Sequence, residues 1–430
     1  MKGLMIALVI VLLLLPAMAC YQQVAAELLM SDKPRETSPD VSEADLALLI
    51  EGNTAFAFDL YEALKGKDGN LFYSPHSISV ALAMTYAGAR GSTAEQMADT
   101  LEFLLEQDRL HPAFNWLDAE LASRGEGAQG KDGEGFRLNI VNAIWGQKDY
   151  EFLSGFLDVL AENYGAGLRI LDFVTEPEES RITINDWVSD QTEDRIKDLI
   201  PQGAIDALTR LVLTNAIYFN AAWEYTFDED ITADGPFYLL DGGQVTVPMM
   251  KQTEAFGYTD GEGYQAVELR YDVGELPDGK PLSMVIILPE DGQFEVFEEE
   301  LQAQKVNNII GDLQVTEVAL TMPKFEFESE FSLKDTLAEM GMPVAFSGAA
   351  DFSGMTGNLG LAIADVLHKA FVSLDEAGTE AAAATAVIVG ETAMPAEPTE
   401  VTIDRPFIFL IRDIETGAIL FVGRVMNPGA

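Results

Sequence analysis

Three imidazoles, His76, His111 and His368, are the only side chains in 430 residues whose ordinary pKa suits proton transfer near neutrality. No Gly-x-Ser-x-Gly turn, zinc-binding His-Glu-x-x-His helix or glycine-rich phosphate loop accompanies them, so hydrolytic, metal-dependent and nucleotide chemistry all lack their usual parts. The reading is therefore of a protein that is not an enzyme and needs no cofactor or metal. Cys20 is the one cysteine, which excludes internal disulfides. The unusual pattern lies instead in residues 375–389, Asp-Glu-Ala-Gly-Thr-Glu-Ala-Ala-Ala-Ala-Thr-Ala-Val-Ile-Val, which hold no proline and become more β-prone toward Val389.

That stretch opens a connection of about 25 residues between a strand ending at Leu374 and one starting near Val401, well past the ~12–15 residues at which a loop becomes unusual in a compact domain. Paired as a strand, it would show Thr379, Ala381, Ala383, Thr385, Val387 and Val389 on one face. Glu380, Ala382, Ala384, Ala386 and Ile388 would take the other. The first face carries no charge and begins with small residues, so it could slide between two other strands while Glu380 stays in water. Gly378 is the expected pivot, and Pro395 and Pro398 mark where pairing must stop. Thirteen residues from Thr379 at ~3.3 Å each would carry anything attached to them ~40 Å. From composition alone a helix or linker stays open, since Glu followed by four alanines also favours helix.

The elements around this segment are legible from periodicity. Ser42 caps a helix whose apolar residues Leu46, Leu49, Phe56, Leu60 and Leu64 share one face. Further helices are expected over 93–103, 112–123, 153–164 and 178–193, with strands over 70–73, 136–145 and 208–219. The second half reads mainly as strands, at 237–250, 264–271, 282–288, 315–323, 360–374, 407–412 and 418–425. Helices first and strands later indicate an α+β fold with more than one sheet. Asp and Glu number 71 against 26 Lys and Arg, a formal charge of -45, so nucleic acid and anionic headgroups are repelled. Residues 1–19 carry Lys2, an apolar run over 4–15 and Ala17-Met18-Ala19, the order of an export signal too short to span a bilayer. Cys20 follows at the place where bacterial-type lipoproteins receive their lipid; an incidental cysteine after a plain cleavage site is the alternative. Residues 20–41, with Pro34 and Pro39, are expected to form a flexible tether.

Several separate stretches resemble serpins, in that family's order. They are Asn70-Leu71-Phe72-Tyr73-Ser74-Pro75-His76-Ser77-Ile78-Ser79, Leu213-Thr214-Asn215-Ala216-Ile217-Tyr218-Phe219-Asn220-Ala221-Ala222-Trp223, His368-Lys369-Ala370 with residues 375–385, Asp404-Arg405-Pro406-Phe407-Ile408-Phe409-Leu410, and Gly423-Arg424-Val425-Met426-Asn427-Pro428. Asn220-Ala221 depart from the commoner Lys-Gly. The resemblance implies a single serpin domain over 42–430, with three β-sheets, eight or nine helices and an exposed reactive-centre loop at about 376–400.

It also implies a function: a serine-type endopeptidase inhibitor that acts as a suicide substrate. A protease cuts the loop, is held as an acyl-enzyme, and is carried away as the loop enters the main sheet. Glu376, Gly378, Thr379, Glu380, Ala381, Ala382, Ala383, Ala384 and Thr385 match the hinge; Ser74, Ser77, Asn215 and His368 the shutter; Trp223 the breach. Counting from Glu376 places the scissile bond at Thr392-Ala393, with Ala393-Met394 second. A small residue there, with no Lys or Arg between Glu376 and Val401, implies an extracellular serine protease of elastase-like or subtilisin-like specificity. The region 106–124 is mixed in charge, so no glycosaminoglycan partner is expected; the chain is expected to act as a monomer outside the cytoplasm or at the cell surface. A non-inhibitory serpin-fold binding protein, or a plain protease substrate, is the rival reading.

Overall fold

The computed structural model describes residues 25–124, 128, 136–274, 281–379 and 397–430. Among them are ten α-helices, of which Phe294–Glu299 and Ser353–Thr356 have six residues or fewer, and two strand arrays. The first is a 7-stranded sheet in the order Glu27–Leu29, Leu168–Leu171, Arg137–Gln147, Leu211–Ala222, Gly378–Thr379, Asp365–Leu374, Phe325–Ser332. The second is 9-stranded, because the 18-residue strand Gln244–Gly261 runs through what the sequence suggested as two smaller sheets and joins them. This is the expected α+β architecture.

Both faces of the main sheet are covered. Alternation along Leu211–Ala222 puts Leu213, Ile217, Phe219 and Ala221 into the large core shared with the second sheet, while Val212 and Ala216 face a smaller core beneath the helix Pro177–Gln191. The central strand is buried along almost its whole length, which is why it reads as a continuous apolar run and not an alternating one. Ser42 accepts from the Asp45 amide and caps Glu43–Leu64, as the spacing suggested.

Three expectations need correction. Residues 25–41 do not form a free tether: Glu27–Leu29 adds an antiparallel strand to the edge strand Leu168–Leu171. Beyond it, Ser31 donates to Asp158, Lys33 pairs with Asp158 and Glu162, and Arg35 donates to Asn115 and Asp118. The span 237–250 is a hairpin, Ala233–Tyr238 and Gln244–Gly261, reversed at Asp241-Gly242-Gly243. Phe325–Ser332, not anticipated, is the edge strand beyond Asp365–Leu374.

Candidate functional site

The seam of interest lies between Leu211–Ala222 and Asp365–Leu374. Asp365 through Ala370 pair directly and in parallel with Val212 through Ile217. Above that level the two strands separate, and Gly378–Thr379 fills the gap, antiparallel to both: Gly378 opposes Ala222, and Thr379 opposes Ala221 on one side and Leu374 on the other. The chain reverses over Asp375–Ala377, where the Asp375 amide donates to the Gly378 carbonyl and the Ala377 amide to the Asp375 side chain. Gly378 is therefore not the pivot itself; it already lies inside the sheet. A Cβ there would sit 2.2 Å from the Ala221 carbonyl oxygen, 2.7 Å from Ala222 Cα and 3.0 Å from Trp223 N, and its φ of +153° also favours glycine.

Trp223, placed by the end of the central strand, holds this entry from below. Its amide donates to the Ala377 carbonyl at 2.9 Å and its indole Nε1 to the Asp375 carbonyl at 3.1 Å. Its ring stacks on Tyr271 with centroids 4.7 Å apart, and the Tyr271 hydroxyl meets Thr379 Oγ1 at 3.0 Å. Burial drives the Tyr271 phenol well above its ordinary pKa, so it stays a neutral hydrogen-bonding group. Glu376 is tied into the same region. Lys324 Nζ approaches its carboxylate at 2.5 Å, Thr232 donates to it at 2.7 Å, and its own carbonyl accepts from Phe227. Burial alone would raise the Glu376 carboxyl, but the Lys324 and Thr232 hydrogen bonds outweigh it and hold the group below its usual value. Tyr271, Thr232 and Lys324 were not singled out from sequence; each comes from a distant strand or turn.

Lower in the seam the expected polar cluster is assembled. Ser74 caps the helix Pro75–Tyr86 by accepting from the Ser77 amide, and Ser77, Asn215 and His368 converge below the sheet, all fully buried. The Ser74 amide donates to His368 Nε2 at 3.2 Å, so the ring hydrogen resides on Nδ1, which donates to Asn215 Oδ1. The Asn215 amide then donates to Ser77 Oγ and to Asn142 Oδ1, and Asn142 donates to the Ser77 carbonyl. Burial lowers the His368 pKa to about 3, so the ring is neutral. Asn142 is a fifth member missed in the sequence. It opposes Asn215 in register, as His368 does from the other side, so one row of polar side chains crosses three strands.

Glu380 through Thr385, the reactive-bond candidates Thr392, Ala393 and Met394, and Cys20 lie outside the described residues. Among the described residues no group of three or more His, Cys, Asp or Glu side chains could hold a metal ion, and no helix is long and apolar enough to cross a membrane.

This is a mixed fold in which Gly378–Thr379 sits between two central strands of the seven-stranded sheet, above a buried polar cluster. The family model described as "Serpin (serine protease inhibitor)" matches residues 51–428, and the chain belongs to the serpin family. An uncharacterized serpin-like protein of Thermococcus kodakarensis is 42% identical over 382 residues, covering 88% of this chain and 86% of that protein. The leukocyte elastase inhibitor of Bos taurus is 42% identical over 390 residues, covering 88% of this chain and 99% of that protein. Among solved structures, the thermophilic serpin tengpin in its native state superposes with a TM-score of 0.80 at 27% identity, covering 94% of this chain and 100% of that one.

Proposed function

We propose that this serpin inhibits an extracellular serine protease as a suicide substrate, trapping it when the cut loop inserts into the main sheet. The observation that carries the proposal is the register of Gly378 and Thr379. They pair with the strands on both sides of the seam, and continuing that register downward brings Ala383 between Ile217 and Ala370, and Ile388 between Val212 and Asp365. These are the first and last of the six direct pairs that now close the seam. Each incoming residue thus replaces one existing pair with two, and no shift of either strand along its axis is required.

Side-chain parity supports the same reading. Thr379 and Asn215 lie on the same face, so Ala381, Ala383 and Thr385 would pass on the inner side, with Thr385 arriving level with Asn215 and His368. Ala382, Ala384 and Ala386 would pass beneath Pro177–Gln191, where small side chains meet least resistance. An acyl-enzyme attached near Thr392 would be carried ~40 Å, and deacylation stalls when nucleophile, base and oxyanion donors no longer meet the ester in productive geometry. Thr392-Ala393, then Ala393-Met394, remain the preferred bonds, with a target of elastase-like or subtilisin-like specificity. Export through residues 1–19, anchoring through Cys20 and action as a monomer complete the proposal. Incubation with subtilisin and with an elastase tests it: a covalent complex surviving SDS is expected, with mass spectrometry placing the cut at one of those bonds. Cleaved loop alongside fully active protease would move the assignment to a binding protein or plain substrate.

A further inference from the structure

Far from the seam, a cavity of about 830 Å³ lies where the turn after Pro75–Tyr86, the first turns of Gln107–Ser123 and Ser154–Tyr164, and the short helix Ser353–Thr356 meet. That volume falls within the range of small-molecule sites. The wall is divided by chemistry. Leu153, Phe156 and Val159 supply an apolar side, and Leu153 stands at the N-cap, where Ser, Thr, Asp or Asn would be expected. Ser154–Tyr164 consequently has no side-chain cap and no acid in its first turn. The Leu153 amide goes to the Met355 carbonyl and that of Phe156 back to Leu153, which leaves the Ser154 and Gly155 amides without a backbone acceptor among the described residues.

Two further polar side chains border the same space. The Arg90 guanidinium is fixed by Nη1 donating to the Ala87 and Ala89 carbonyls and by packing on Gly354; among the described residues no carboxylate lies within ion-pair distance of it, and Asp351, held low by Ser353, also feels its charge. His111, 4% exposed, is the second: Nδ1 meets the Tyr164 hydroxyl at 2.7 Å, and the buried Nε2 has no partner. Asp108 also borders the cavity, exposed in the first turn of Gln107–Ser123, where it answers the positive end of that helix and leaves the one at Ser154 unanswered.

We infer that this cavity is a binding site for a small organic carboxylate with an apolar body, its head held by Arg90 and the free helix end and its body by Leu153, Phe156 and Val159. The inference is independent of how the loop behaves. Isothermal titration of the intact full chain with octanoate, octan-1-ol and inorganic phosphate tests it. Octanoate is expected to bind saturably at one site, at least tenfold more tightly than either comparator. Arg90→Gln should weaken octanoate at least tenfold and leave octan-1-ol unchanged; Ser154→Glu, at an exposed position that does not hold the fold, should do the same if Arg90→Gln fails to fold. No saturable binding, equal affinity for octan-1-ol or phosphate, or undiminished octanoate binding in Ser154→Glu would overturn the inference.

Discussion

Replacing Gly378 by alanine should expel the root of the loop from the sheet. The added Cβ would meet the Ala221 carbonyl oxygen at 2.2 Å and Ala222 Cα at 2.7 Å, both backbone atoms of a central strand paired on both sides, so neither can yield. The hinge gives way instead. It then loses its pairings with Ala221, Ala222 and Leu374 and the Thr379 hydroxyl contact with Tyr271, about three or four hydrogen bonds at ~1 kcal/mol net each. A loss of ~3 kcal/mol corresponds to an opening equilibrium displaced on the order of 100-fold. Hydrogen exchange followed by mass spectrometry should show this as roughly 100-fold faster exchange in peptides covering 374–379, with the second sheet unaffected. Gly66→Ala, where an added Cβ meets nothing within 4 Å, is the control and should change neither region. Because the displaced residues are the first to enter the seam, the same variant should need more inhibitor molecules per trapped protease. Unchanged exchange at 374–379 in Gly378→Ala would show that the close approach does not hold the hinge in place.

Tyr271→Phe removes the hydroxyl that meets Thr379 but keeps the ring on Trp223, so exchange at 374–379 should rise only about fivefold, the equivalent of ~1 kcal/mol. His368, held neutral with its pKa lowered to about 3, predicts a specific pH dependence. The unfolded ring takes a proton below about pH 6.5 and the folded ring does not, so stability falls as pH drops from 6.5 toward 3, by ~2 kcal/mol at pH 5 from this group alone. His76 and His111, each lowered to about 4 chiefly by burial, add to the same trend. His368→Gln should flatten the slope of unfolding midpoint against pH between 6.5 and 4 by one proton's worth; an unaltered slope would mean that His368 is not the buried neutral base described.

The parts of this fold that could be read from sequence are those in which neighbours along the chain decide the outcome. Ser42 caps a helix because its own side chain reaches Asp45, and Asp365–Leu374 is a strand because its alternation is local. The inward face of Thr379 was legible for the same reason. Asn142 was not, because a lone asparagine in a strand has the same local signature whether it faces water or a buried cluster; only its register opposite Asn215 distinguishes the two. The partners of Glu376 come from Thr232 and Lys324, which nothing near residue 376 specifies. Phe325–Ser332 did carry a signal, phenylalanines alternating with acids, masked by its place directly after Pro323 and the preceding strand. The docking of residues 27–36 was hidden because its apolar part, Leu28 to Met30, is too short to show a period and the rest is held by ion pairs and hydrogen bonds.

The decisive comparison is thermal unfolding of intact protein against protein nicked once in the loop, at one scan rate. About ten residues joining the seam at ~1 kcal/mol net each would add on the order of 10 kcal/mol. For a domain of this size that raises the midpoint by roughly 10 °C or more. An upward shift of that size is the predicted result. A nicked sample that melts at or below the temperature of the intact one would contradict insertion, and with it the proposed mode of inhibition.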